Sequence, residues 1–171
     1  AKHVIRLANP GPGDITVLGV SHELMRAGVV YDALGLPGST AVTFSHYDTE
    51  TLIPQLKARQ PDLYVMFYGT NESALPPQGL EEVRAAYPKI IANLRIAAPD
   101  AACLFLGPAD RMSIKKKAAA WMETESLDAV YDIVREVAAR NDCGFWETRE
   151  AMGGEDDIER WRKQKPPLAN K

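Results

Sequence analysis

The sequence predicts an α/β fold, three layers (α/β/α) built on a mainly parallel sheet and preceded by a β-hairpin. Three observations predict it. Short apolar runs alternate with longer stretches whose apolar residues recur every three or four positions, the pattern of strands joined by crossover helices. One run, Asp62-Leu63-Tyr64-Val65-Met66-Phe67-Tyr68, is continuously apolar, as a central strand covered on both faces would be. It stops abruptly at Gly69-Thr70-Asn71, and ligands of open α/β sheets bind in the crevice beyond the carboxyl ends of the strands.

The elements follow in order. His3-Val4-Ile5-Arg6-Leu7 and Asp14-Ile15-Thr16-Val17-Leu18 are strand-like runs joined by a turn-forming Asn9-Pro10-Gly11-Pro12-Gly13. They predict a hairpin, although nothing nearby supplies the further strands it needs for stability. After the break at Arg26-Ala27-Gly28, Val29-Val30-Tyr31-Asp32-Ala33-Leu34 reads as a buried strand emptying into Gly35-Leu36-Pro37-Gly38-Ser39-Thr40. A helix is expected over residues 49–59 with Leu52, Ile53 and Leu56 on one face and Pro54 tolerable only in its first turn. Leu80, Val83, Tyr87, Ile90, Ile91 and Leu94 predict a long amphipathic helix, kinked at Pro88. Residues 101–106 form the next buried strand, ending at Gly107-Pro108-Ala109-Asp110. Residues 111–123 lack a period and suit a loop or lid. Leu127, Val130, Val134 and Val137 mark another helix, and Gly144-Phe145-Trp146-Glu147 a last short strand. From Gly153 the chain turns polar, and Lys165-Pro166-Pro167-Leu168-Ala169-Asn170-Lys171 reads as irregular.

Composition excludes several classes. The 171 residues suffice for one domain with its own core, and 46% hydrophobic with 25% charged residues is ordinary for a globular chain. A net charge of -3 argues against a nucleic-acid or anionic-membrane surface, and Lys115-Lys116-Lys117, the only basic run, reads as a solvated face. No apolar stretch approaches the length of a transmembrane segment, and the start lacks the apolar core of a signal peptide. Cys103 and Cys143 both look like strand residues, so core thiols are expected ahead of a disulfide or a nucleophile. With three histidines and neither an H-x-x-x-H nor a C-x-x-C pattern, no metal site is expected.

In a parallel sheet the polar strand ends Gly38-Ser39-Thr40, Gly69-Thr70-Asn71 and Gly107-Pro108-Ala109-Asp110 share one edge. A glycine turn can present a free backbone N–H, and a strand-end asparagine can aim its side-chain N–H at the same point. Two such donors about 2.7–3.1 Å from one oxygen form an oxyanion hole. Gly35-Leu36-Pro37-Gly38-Ser39 followed by Tyr68-Gly69-Thr70-Asn71-Glu72 resembles the second and third sequence blocks of the SGNH (GDSL-like) hydrolases. Leu106-Gly107-Pro108-Ala109-Asp110-Arg111 and Ala151-Met152-Gly153-Gly154, with Trp161 after it, resemble stretches of one branch of that family, so the likeness runs from about Gly28 onward. By position it makes Gly38 (backbone N–H) and Asn71 (side chain) two of the three oxyanion donors, the third being the nucleophile's own N–H.

The chain also departs from the family. Its nucleophile is a serine in Gly-Asp-Ser, whereas the closest text here, Gly19-Val20-Ser21-His22, lacks the aspartate. It also lies too near Gly38 for an intervening strand and crossover helix, so Ser21 reads as a hairpin residue. The family's base lies in Asp-x-x-His, yet no histidine follows His46, and Asp156 and Asp157 read as an acidic loop or helix start. Ser45-His46-Tyr47-Asp48 makes a poor substitute triad because adjacent side chains diverge.

In the branch resembling peptidoglycan O-acetylesterases, a carbohydrate-binding β-sandwich is inserted between the serine motif and the Gly-x-x-Gly block. The expectation is therefore a hairpin remnant of such an insert at residues 1–27 and an incomplete SGNH/flavodoxin-like α/β domain at residues 28–171. Together they would be an internal segment of a longer serine esterase, inactive alone. The resemblance implies an acetylated carbohydrate or other small ester as partner, no cofactor, and an extracytoplasmic location. One competing reading is a non-catalytic carbohydrate-binding protein on a degenerate esterase scaffold. Another is a generic α/β binding domain, in which Gly38 and Asn71 would lie far apart.

Overall fold

A computed structural model of the chain describes residues 4–17, 19–115, 120–123, 126–155 and 157–169. His3 and Leu18 of the expected hairpin, Lys116 and Lys117 of the basic run, Asp156, and Asn170 and Lys171 of the tail lie outside the described residues. The chain divides into two units, Ala1–Leu34 and Gly35–Lys171.

The described residues of the first unit contain no strand, so the expected hairpin and the expected strand over residues 29–34 are both corrected. Val4, Ile5, Leu7, Ile15 and Val17 are exposed, as are Val29, Val30, Tyr31 and Leu34. A strand is stabilised by a paired ladder and a packed face, and two short runs alone supply neither. Between them Asn9 makes local bonds instead: its Nδ2 donates to the Gly13 carbonyl at 2.5 Å, and its Oδ1 accepts the Gly11 N–H at 3.2 Å.

The second unit holds a parallel sheet in the order β1 (Leu63–Met66), β2 (Ala102–Leu106), β5 (Gly144–Trp146). Each step between neighbours crosses over through a helix: α3 (Leu80–Ala97) joins β1 to β2, and α4 (Leu127–Arg140) lies between β2 and β5. The α3 stripe is buried at Leu80, Val83, Tyr87, Ile90, Ile91 and Leu94, and the α4 stripe at Leu127, Val130, Val134 and Val137. At roughly 1.5–3 kcal/mol for each large apolar side chain removed from water, these two stripes dominate the stability of the unit. They meet the sheet on the face bearing Met66 and Phe105, where Tyr87 packs edge-on against Phe105 and Tyr131 against Phe145. The helix α3 runs unbroken across Pro88.

The opposite face is open, which corrects the reading of β1 as a strand covered on both sides. Leu63 and Val65 are 49% and 48% exposed, and Trp146 of β5, on the same face, is 56% exposed. Among the described residues β1 is also an edge strand. A continuous apolar run reports two faces suited to burial, not two faces that are covered.

Helices α1 (Ala41–Ser45) and α2 (Thr49–Arg59) precede β1, and α5 (Thr148–Met152) and α6 (Asp157–Lys163) follow β5. Asp48 caps α2, its carboxylate accepting the Glu50 and Thr51 N–H groups. Pro54 stands in the second turn of α2 rather than the first, at the cost of one backbone bond. Residues expected to form an aperiodic loop or lid instead contain an antiparallel pair, β3 (Met112–Lys115) with β4 (Ala120–Glu123). Cys103 and Cys143 form a disulfide with Cα atoms 4.9 Å apart, replacing the expected core thiols. They occupy adjacent positions at the amino ends of β2 and β5, one residue before the Leu104–Gly144 register pair.

Candidate active site

The turn before α1 is built by Pro37 and Gly38. Ser39 donates its N–H to the Leu36 carbonyl at 3.0 Å, and Gly38 at φ +79° fills the position of a type II turn that favours glycine. A Cβ at Gly38 would meet nothing within 4 Å, and among the described residues nothing accepts its N–H. Thr40 then caps α1, its Oγ1 accepting the Thr43 N–H at 3.1 Å.

Beyond β1 the chain turns at Gly69, φ +115°, where an added Cβ would stand 2.8 Å from Pro108 Cβ and 3.2 Å from Val130 Cγ1. A 3-10 turn over Glu72–Ala74 follows, tied by the Ser73 N–H to the Gly69 carbonyl at 2.8 Å. This presents Asn71 at the surface, where its Nδ2 donates to the Ser39 carbonyl at 2.8 Å. The side chain of Asn71 thus rests on the residue next to Gly38.

Glu72 points the other way and is fully buried. Its Oε1 accepts the Ala41 N–H at 2.6 Å and its Oε2 the Gly69 N–H at 2.9 Å. The strand end after β2 joins the same cluster: Pro108 packs on Gly69, and Arg111 donates to the Thr70 carbonyl at 2.5 Å. Asp110 is buried, with Oδ2 accepting the Ile158 N–H at 2.9 Å and Oδ1 lacking a hydrogen-bond partner among the described residues. Trp161 of α6 donates to the Met152 carbonyl at 2.9 Å, fastening α6 to α5. Burial, with the nearby Tyr47 and Glu72 adding, pushes the Tyr68 phenol up to about 12, so it stays protonated at neutral pH.

The other serines and histidines of interest are used locally. Ser45 Oγ donates to the Val42 carbonyl, His46 Nδ1 lies 2.8 Å from the same oxygen, and Asp48 is spent on the α2 cap. Ser21 donates to Glu23 at 2.8 Å. Among the described residues no group of three or more His, Cys, Asp or Glu side chains could hold a metal ion. What the arrangement offers is a surface carboxamide beside a glycine turn, two kinds of N–H donor suited to a small polar oxygen. Sequence reasoning passed over Glu72 and Arg111. A carboxylate embedded between a strand end and an amphipathic helix was the one available signal for Glu72. Arg111 sits in a stretch without periodicity and gave none.

The sequence profile of the GDSL-like Lipase/Acylhydrolase family matches residues 11–165, which include both loops. A solved structure of a peptidoglycan O-acetylesterase is similar with a TM-score of 0.65 and 21% sequence identity, over 74% of this chain and 36% of that one. This chain therefore spans about a third of the length of that neighbour. The likeness shows the fold, a three-layer α/β/α arrangement of which the described residues supply the parallel sheet and the helices on one of its faces. Among curated proteins none matches this sequence.

Proposed function

Because the chain belongs to the GDSL-like lipase/acylhydrolase family, we propose that it supplies the oxyanion-binding part of a carboxyl-ester hydrolase acting on an O-acetylated carbohydrate. The observation that carries this reading is the 2.8 Å bond from Asn71 Nδ2 to the Ser39 carbonyl. It joins the two family blocks and sets the asparagine donor beside the Gly38 turn. The generic reading, with the two residues far apart, is correspondingly weakened. In the proposed reaction a serine Oγ from outside these residues attacks the acetyl carbonyl carbon and gives its proton to a histidine oriented by an aspartate. The oxygen that gains the charge accepts hydrogen bonds from the Gly38 N–H and Asn71 Nδ2. The sugar hydroxyl leaves with the histidine's proton, and water then releases acetate from the serine.

Two further observations support the substrate class and the location. The structural neighbour is a peptidoglycan O-acetylesterase. The Cys103–Cys143 disulfide suits an oxidising, extracytoplasmic compartment.

The test is Asn71→Ala in an esterase that carries these residues together with a Gly-Asp-Ser and an Asp-x-x-His. Turnover of an aryl acetate should fall on the order of a hundredfold with little change in stability. Unchanged turnover removes Asn71 from the site. A longer protein that carries these residues without a Gly-Asp-Ser and an Asp-x-x-His, and that a fluorophosphonate fails to label, would instead support the carbohydrate-binding scaffold that has lost its catalytic groups.

A further inference from the structure

We infer that Glu72 is a positioning residue that sets the spacing between the Gly38 turn and Asn71, an inference that rests on the oxyanion reading above. Its carboxylate is fully buried, and among the described residues no cationic side chain pairs with it. A buried charge of this kind is stabilised only where its lone pairs are met. Here both oxygens are met by backbone N–H groups from two different loops: Ala41, at the start of α1, and Gly69, at the end of β1. One rigid side chain therefore bridges the segment carrying Gly38 to the segment carrying Asn71. Bonds from backbone N–H to a carboxylate are the strong kind, roughly twice a neutral pair.

The bridge acts on the next residue. Glu72 directs its side chain inward from the first turn of the 3-10 segment, and Asn71 immediately before it faces out toward Ser39. With the carboxylate anchored on Ala41 and Gly69, the backbone of Asn71 has little freedom, and its carboxamide is held at the turn before any substrate arrives. Preorganisation of this sort is what gives a hydrogen-bond donor its value in stabilising developing charge. A glutamine retains one oxygen but sets an NH2 against one of the two N–H donors. An aspartate keeps the charge but is one methylene too short to reach both loops.

The experiment is carried out on the chain itself by NMR. In the unaltered protein the Asn71 side-chain amide should exchange slowly, because it is bonded to the Ser39 carbonyl. In Glu72→Gln its exchange should accelerate by at least about tenfold, together with the Ala41 and Gly69 amides, while β1–β2 amides keep their protection. Glu72→Asp should release one of the two loops and give a smaller acceleration. An Asn71 amide that exchanges at the same rate in both variants overturns the inference. So does uniform loss of protection through the sheet in both, which would make Glu72 a folding residue only. The two readings fail separately. If Asn71→Ala leaves esterase turnover intact, the oxyanion assignment falls whatever Glu72 does. If that variant is impaired and the Glu72 variants leave the Asn71 amide unmoved, only the positioning role falls.

Discussion

Two glycines at the candidate site do different work, and substitution separates them. Gly69 has a positive φ and no room: a Cβ would stand 2.8 Å from Pro108. Gly69→Ala should therefore cost roughly 1–3 kcal/mol from overpacking, added to the strain of its backbone, read as a lower urea midpoint. Gly38 has a positive φ with open space around it, so Gly38→Ala should cost only about 1 kcal/mol. Equal losses at the two positions would contradict this division. Gly38 and Asn71 were legible because their two short blocks resemble those of the SGNH hydrolases, a turn glycine or a strand-end asparagine alone being a weak signal. The sequence did not single out Glu72, because burial of a carboxylate and its two N–H donors depends on how loops 31 and 3 residues away come together. No local pattern encodes that.

At the scale of elements, the helices were the most legible part. The expected helix over residues 49–59 is α2 as it stands, and every apolar residue picked out for α3 and α4 is buried. A period of 3.6 is a property of one segment and needs no partner to be recognised. Strands were less legible, because pairing is non-local: the β3–β4 pair was missed, and the N-terminal runs were assigned strands they do not form. The disulfide was missed for the same reason, since the closeness of Cys103 on β2 and Cys143 just before β5 becomes apparent only with the register known. It closes a separation of 40 residues, so the paired change Cys103→Ala with Cys143→Ala should lower stability by about 2–4 kcal/mol in urea unfolding. A shift well below 1 kcal/mol would show that the sheet does not depend on it. The cap of α2 makes a pH prediction. Bonds from the Thr51 hydroxyl and then the Glu50 N–H hold the Asp48 carboxyl below its usual value of 3.8. A depressed pKa contributes stability that is present above the unfolded value and disappears as pH falls through the folded one. The stability difference between the natural chain and Asp48→Ala should thus persist from neutral pH to about 4 and vanish in stronger acid. A difference that stays constant down to pH 2 would assign the cap to something other than the carboxylate.

In the Gly35–Lys171 unit the apolar surface is distributed unevenly between the two sides of the sheet. On one side Met66 and Phe105 are packed beneath α3 and α4, and on the other Leu63, Val65 and Trp146 are about half exposed, with Phe67 beside them at 53%. Side chains of this type in a contiguous group, next to the unpaired edge of β1, form a surface of the sort that binds apolar partners or self-associates. The chain should therefore bind an apolar dye such as ANS while its near-native helical signal is intact, and its sedimentation should show concentration-dependent self-association. Val65→Lys with Phe67→Ser should reduce both effects. It should leave the stability in urea within about 1 kcal/mol, because Val65 on β1 and Phe67 just beyond its end are both about half exposed, while the other face of β1 supplies the core. A large loss of stability would mean that this face is buried in solution by residues of the same chain. Unchanged dye binding would mean that the apolar surface lies elsewhere, with the exposed valines and leucines of residues 4–34 the next place to substitute.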